Sequence, residues 1–200
     1  MNEIKLFDKW QMRGVAVNDP GLKPYINLAP SIIPKSGGRT ASKQFHKSKK
    51  NIIERLIAKQ MVPGHRSKKH VLTSGNVVGK WHTNYKIIRQ AFEKIELVTK
   101  KNPVEVFVRA IENAATREEI AAYQVGGIIV RRAVITSPQR RVDLALRNIT
   151  KAAYRKSFGK KLTIVDALAD EIIAAYNYDV QKSEAIKERD MTEKQAEGAR

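Results

Sequence analysis

The chain has 200 residues, with 38 Lys plus Arg against 20 Asp plus Glu and a formal net charge of +18. That length allows one domain with a sizeable core plus tails, while the charge opposes compaction unless an anion neutralises it, nucleic acid being the first candidate and an anionic membrane the second. With no cysteine there is no disulfide, thiolate chemistry or Cys-based zinc site, which fits a cytosolic protein; no apolar run approaches the ~20 residues of a membrane span, and no export leader is expected.

Residues 1–38 hold Pro20, Pro24, Pro30 and Pro34. Such density blocks regular helix and predicts an extended N-terminal tether, which Phe7, Trp10, Tyr25 and Ile32 offer to anchor to a surface. From Arg39 to Arg89 there are 13 basic side chains against the single acid Glu54, a net +12 in a quarter of the chain. Within that stretch Ile52, Ile53, Leu56, Ile57 and Met61 mark one helix, and Tyr85, Ile88, Phe92 and Ile95 mark a second that reaches about Lys100. The basic loop between them, Val62 to Gly79, is longer than a simple connection needs. Its Arg66, Lys68, Lys69, His70 and Lys80, with the flat ring of Trp81, form a candidate set for phosphate and base contacts.

Asn102-Pro103 opens a third helix. Asn caps first-turn amides, and Pro at the first helical position gives up only an amide without a partner. Val104, Phe107, Ala110, Ile111 and Ala114 face its core side. After Ala115 the pattern turns to two strands around Gly126-Gly127, with Ile120 to Val125 on one side and Ile128 to Thr136 on the other. A lone two-stranded ribbon is marginal in water, so it has to pack on the helices or on a partner; Arg131 and Arg132 in the return strand favour an anionic one. Ser137-Pro138 repeats the cap-plus-Pro pattern. The helix that follows has an apolar stripe of Val142, Ala145, Leu146, Ile149, Ala152 and Ala153, and its Arg140, Arg147, Lys151 and Arg155 project within roughly 80° of one another. The plain alternative is a solvated face, but Asp143 is the only acid on this helix.

Ile164, Leu168, Ile172 and Ala175 define a further helix, with Asp166, Asp170 and Glu171 read as its outer side, and Ala185 to Arg200 reads as a charged, helix-prone tail. Residues 91–200 net only +4, so one end of the chain faces a polyanion and the other packs or meets solvent. Catalytic candidates are weak. His65 and His70 have no Cys, and no carboxylate between Glu54 and Glu93, to complete a metal site. The run SGGRTASK lacks the spacing of a phosphate-binding P-loop, and no Ser-His-Asp or Cys-His set presents itself. Asp166 and Asp170, one turn apart, leave a metal-dependent nuclease or RNA-modifying enzyme as an alternative, against the plainer reading of a solvated face. A DNA-binding regulator is a third reading, although there is no dimerising heptad series or recognition-helix pattern.

Three motifs in order, NPVEVFVRAIENA, VGG and SPQRRVDLALR, resemble the universal family of small-subunit ribosomal protein seven. The resemblance extends over roughly Ser42 to Arg200, and NIIERLIAKQMVPGHRSKKH with its extended loop is similar to the archaeal and eukaryotic branch. It implies a mainly α fold: a single helical-bundle domain of five or six helices over 39–200, with a protruding two-stranded β-ribbon at about 118–136 and a basic, Pro-rich N-terminal extension over 1–38. The implied role is structural, with no catalysis, cofactor, metal or membrane. The protein would bind the 3′ major domain of small-subunit rRNA, nucleate head assembly, touch neighbouring head and platform proteins, and lie near exit-site tRNA and the mRNA path in the cytoplasmic ribosome. Its implied RNA-facing residues are Lys43, Lys47, Lys49 and Lys50 before the first helix, Arg66, Lys68, Lys69 and Lys80 in the loop, Arg131 and Arg132 in the ribbon, and Arg140, Arg141, Arg147, Lys151 and Arg155 after it. Relatives often have Pro where Thr116 stands and more basic or aromatic residues along the ribbon. Here Ala121, Ala122, Ile128 and Ile129 make the ribbon more apolar, so its tip is expected to touch protein rather than RNA.

Overall fold

In the computed structural model the described residues are 4–38, 40, 42–62 and 76–200. They form six α-helices and one antiparallel ribbon: α1 Ile52–Gln60, α2 Trp81–Thr99, α3 Pro103–Ala114, β1 Glu118–Val125, β2 Ile128–Ile135, α4 Pro138–Ser157, α5 Ile164–Tyr176 and α6 Glu184–Glu197. The helices bundle around α5, which packs on α2, α3 and α4. Small side chains make that central position possible. Ala167, Ala169 and Ala175 are buried beside Leu168 and Ile172, so helix axes approach closely on several sides.

Helix starts follow local chemistry. Asn51 accepts from the Ile53 amide at 2.9 Å and Asn102 from the Val104 amide at 3.0 Å, while Thr163 and Ser183 cap α5 and α6. The Asn caps also hold other chain segments, because the Asn51 amide donates to the Ala29 carbonyl and that of Asn102 to the Gln11 carbonyl. Ser137 departs from the expected pattern. It precedes Pro138 at the start of α4, but its hydroxyl makes no capping bond.

Glu171 is also a correction. Helical spacing put it on the outer side of α5 with Asp166 and Asp170, yet it is fully buried. Its carboxylate accepts from Ser183 Oγ at 2.8 Å, the Ala185 amide at 2.9 Å and Lys156 Nζ at 2.5 Å, joining α4, α5 and the start of α6. The charged tail supplies that cover: α6 buries Ala185, Ile186, Arg189 and Ala196.

Gly126 and Gly127 have φ of 54° and 86°, the left-handed pair that a two-residue hairpin turn requires. Register runs from Glu118 opposite Ile135 to Val125 opposite Ile128. The base of the ribbon is tied down. Arg200 forks onto Glu118 at 2.6 and 2.7 Å, the Arg117 amide donates to Glu193, and Thr136 N bonds Arg117 O at 2.9 Å. Beyond these ties the strands stand out from the bundle, with Ile128 and Ile129 about 70% exposed.

Over residues 4–38 the Pro-rich N-terminus has no α-helix, as its prolines dictate, but it is a fitted strap rather than a free tether. Leu6, Phe7, Trp10, Met12, Leu22 and Ile26 belong to the core. A tight turn with Phe7 and Asp8 at φ of 53° and 63° sets the Phe7 ring edge-on to Tyr85 at 5.0 Å and to Trp10 at 5.9 Å. The Trp10 indole N–H donates to Glu96 at 3.0 Å. Tyr25 is half-buried and Ile32 exposed, so two of the four expected anchors are fully engaged. Trp10→Ala is expected to lower unfolding free energy by about 3–5 kcal/mol, measured by urea denaturation followed by circular dichroism. A change within about 0.5 kcal/mol, the size usual for a surface position, would return the segment to a tether.

Candidate nucleic-acid interface

The expected RNA-facing cations divide by what surrounds them. Lys43, Lys49, Lys80, Arg131, Arg132 and Arg147 are exposed and make no ion pair among the described residues. Arg131 and Arg132 are consecutive on β2, so they point to opposite faces of the ribbon. Lys80 sits immediately before α2. Arg66, Lys68, Lys69 and His70 lie outside the described residues.

Lys47, Lys50, Arg140, Arg141 and Arg155 already have carboxylate partners. Lys50 pairs with Glu54 at 3.4 Å within one helical turn. Arg140 forks onto Glu119 of β1, with Nε and Nη2 at 2.5 and 2.7 Å from its two oxygens, a planar match that holds the guanidinium charge more firmly than usual. Arg141 turns to the N-terminal strap and meets Asp19 at 2.8 Å. Arg155 is drawn to α6, 2.9 Å from Glu184 and 3.5 Å from Glu188. Lys151 is half-buried. The basic ridge along α4 is thus neutralised at both ends by acids of other elements, and Arg147 in its middle faces outward.

Asp143, the only acid on α4, organises the region. Its carboxylate takes a hydrogen bond from Lys47 and lies 3.2 Å from Arg55 Nη2. Arg55 is almost wholly buried and also donates to the Tyr25 carbonyl at 2.8 Å. Burial works against the charge of Asp143, but the Lys47 hydrogen bond and the Arg55 charge outweigh it and hold the carboxyl below the usual aspartate range. Burial likewise pushes Arg55 down. It also lowers Lys59, whose charge Asp143 favours while Lys47, Arg147 and Arg55 oppose it. Lys59 was absent from the expected residues. It lies near the end of α1, and only the fold brings it beside α4.

Of the carboxylates suggested for a metal, Asp166 accepts a hydrogen bond from Lys94 and Asp170 stands on the surface. No group of three His, Cys, Asp or Glu suited to a metal ion occurs among the described residues, and no described helix is long and apolar enough to cross a membrane.

Comparison with known proteins bears on this arrangement directly. Residues 25–200 match the family described as ribosomal protein S7p/S5e. The chain belongs to the ribosomal protein S7p/S5e family. Its relatives include proteins named small ribosomal subunit protein uS7 from Nanoarchaeum equitans, 51% identical over 99% of this chain and 100% of the relative, and from Methanothrix thermoacetophila, 46% identical over 98% and 100%. One from Archaeoglobus fulgidus is 44% identical over 99% of this chain and 96% of its own length. These are archaeal S7p/S5e proteins, in keeping with the branch that the long N-terminal half resembles, and the six helices with one ribbon agree with the architecture that the resemblance implied.

The Asp143 network yields a pH-dependent prediction for this S7p/S5e chain. A carboxyl whose folded pKa is depressed adds stability above its unfolded value of about 3.9 and loses it as pH falls through the lower folded value. Asp143→Asn is therefore expected to cost about 1–3 kcal/mol at pH 7 and progressively less on acidification, read from urea unfolding at each pH. A cost that stays constant down to pH 2 would show that the carboxylate charge is not what holds Lys47 and Arg55.

Proposed function

We propose that this structural constituent of the small ribosomal subunit holds the 3′ major domain of the subunit's rRNA through the cations that make no ion pair among the described residues. The carrying observation is near full-length identity of 51% to a protein named small ribosomal subunit protein uS7. The charge partition supports it: acids sit against the cations that build the fold, while Lys43, Lys49, Lys80, Arg131, Arg132 and Arg147 remain outward. Pairing of these groups with phosphates releases counterions and supplies affinity, and the shape of the helical body and ribbon selects a junction. No bond is made or broken.

In this reading residues 39–200 are the RNA-binding body and 1–38 its strap. Lys47, Lys50, Arg140, Arg141, Lys151 and Arg155 contribute positive potential while they hold the surface in shape. The apolar tip, with Val125, Ile128 and Ile129 exposed, suits a neighbouring protein of the head or platform, and the arm brings the ribbon toward exit-site tRNA and the mRNA path. Its work is on the cytoplasmic ribosome.

Chemical footprinting of small-subunit rRNA fragments with the full chain tests this. Protection confined to one multi-helix junction of the 3′ major domain is expected, with affinity falling steeply as salt rises. Diffuse protection, or equal affinity for duplex DNA at physiological salt, would leave only a generic polycation.

A further inference from the structure

Between the end of α1, residues 44–47 and the start of α4 lies a groove of about 450 Å³, within the range that accommodates a small organic group of nucleotide size. Lys47, Lys59, Arg140 and Arg147 line it, and Asp143 is the only acid among its lining residues. Lys47 is committed to Asp143 and Arg140 to Glu119. Lys59 and Arg147 have no ion pair among the described residues, and they stand on different helices facing one space.

Phe45 forms part of the same wall. Its ring is half exposed and its backbone is left-handed at φ 59°, a conformation that a bulky side chain adopts only at a cost. The ring is steadied edge-on against Tyr25, 6.3 Å between centroids, and Tyr25 is itself held by Arg55 through its carbonyl. A strained backbone thus holds a half-exposed aromatic ring beside two cations that make no ion pair among the described residues. The uncapped first turn of α4 lies at the same wall through Ser137 and Gln139, adding the partial positive charge of a helix N-terminus.

We propose that this groove holds one unpaired nucleotide of the bound RNA, its phosphate between Lys59 and Arg147 and its base stacked on Phe45. The assignment rests on the rRNA-binding reading above and goes further, naming the nucleotide's pairing state and the residues that take its two halves. Stacking on an aromatic ring requires a base out of its helix, and unpaired bases beside a tracked backbone are the usual targets of such rings. A paired nucleotide keeps its faces against its neighbours and leaves Phe45 unused.

Lys59 gives the site a proton linkage. Burial disfavours its ammonium, as do Lys47 in the short 3-10 turn His46–Lys49 before α1, Arg147 on α4 and Arg55 on its own helix, with Asp143 of α4 alone in favour. A phosphate adds a second favourable charge, so the complex keeps a proton that the free protein gives up more readily. Affinity therefore falls as pH rises through the lowered pKa of the free protein.

The test is equilibrium binding of the full chain to a transcript of the rRNA 3′ major domain, with folding and thermal stability of every variant checked by circular dichroism. Lys59→Met is expected to weaken binding about tenfold and to reduce the salt dependence by about one phosphate contact; the remote Lys187→Met is the charge-matched control. Lys59→Arg, whose guanidinium stays charged, is expected to keep the affinity and remove its decline with rising pH. Phe45→Tyr keeps a stacking face and its affinity. Phe45→Gly removes the ring while relieving the left-handed strain, so it is expected to bind about tenfold or more weakly with unchanged or raised thermal stability. If Lys59→Met behaves like Lys187→Met, or if Phe45→Gly binds as wild type does or loses affinity only together with stability, the nucleotide site is wrong. If the wild-type chain binds the transcript no better than an unrelated RNA of equal length, the rRNA reading itself fails.

Discussion

The carboxylate of Asp143 is the contact on which the basic half of this protein depends. It binds Lys47 from the segment before α1 and Arg55 from α1 itself, and Arg55 passes the connection to the N-terminal strap through the Tyr25 carbonyl. Three pieces of chain are thereby fastened to α4 at one point. Without a counter-charge there, like charges on α1 and α4 would face each other across the groove at the low effective dielectric of a partly buried surface, where repulsion is several times stronger than in water.

The same device recurs at several cations that turn inward. Asp19 meets Arg141, Glu184 and Glu188 meet Arg155, Glu171 meets Lys156, and Asp190 meets Arg189. These pairs add modest stability individually, since charges lose hydration when they are buried. Their larger effect is selection: a cation with an acid beside it is held in the fold, and one without remains available to a polyanion. A chain of net charge +18 thus folds with some of its cations paired to acids and others left outward. The ribbon follows this logic in miniature, its base fixed by Glu118 and Glu119 to Arg200 and Arg140, its outer half left apolar with two arginines on opposite faces.

Much of the fold was legible because it is written in local chemistry. Asn102-Pro103 and Gly126-Gly127 each specify a backbone geometry within a few residues, and the 3.6-residue period of Val104, Phe107 and Ile111 marks a buried stripe without reference to anything distant. Family resemblance added the count of helices and the place of the ribbon. What escaped reading was long-range. Glu171 has the spacing of a solvated residue, and its burial depends on α6 returning to cover it with Ser183 and Ala185. The strap's prolines truthfully exclude helix, but irregular chain packs as well as helix when Phe7 and Trp10 find an aromatic partner in Phe92.

The candidate site shows the same limit more sharply. Charge along α4 was visible as Arg140, Arg147, Lys151 and Arg155 on one face, yet the acids that neutralise two of them come from β1 and α6. Lys47 and Asp143 are 96 residues apart, and Arg141 and Asp19 are 122 apart. A count of basic residues can locate the segment that meets a polyanion, because it needs only sequence. It cannot say which cation is free, because that depends on where the acids fold. Lys59 illustrates the consequence: in sequence it is one more lysine of a basic helix, and only the approach of α4 places it in a groove where Arg147 stands opposite and Phe45 forms the wall.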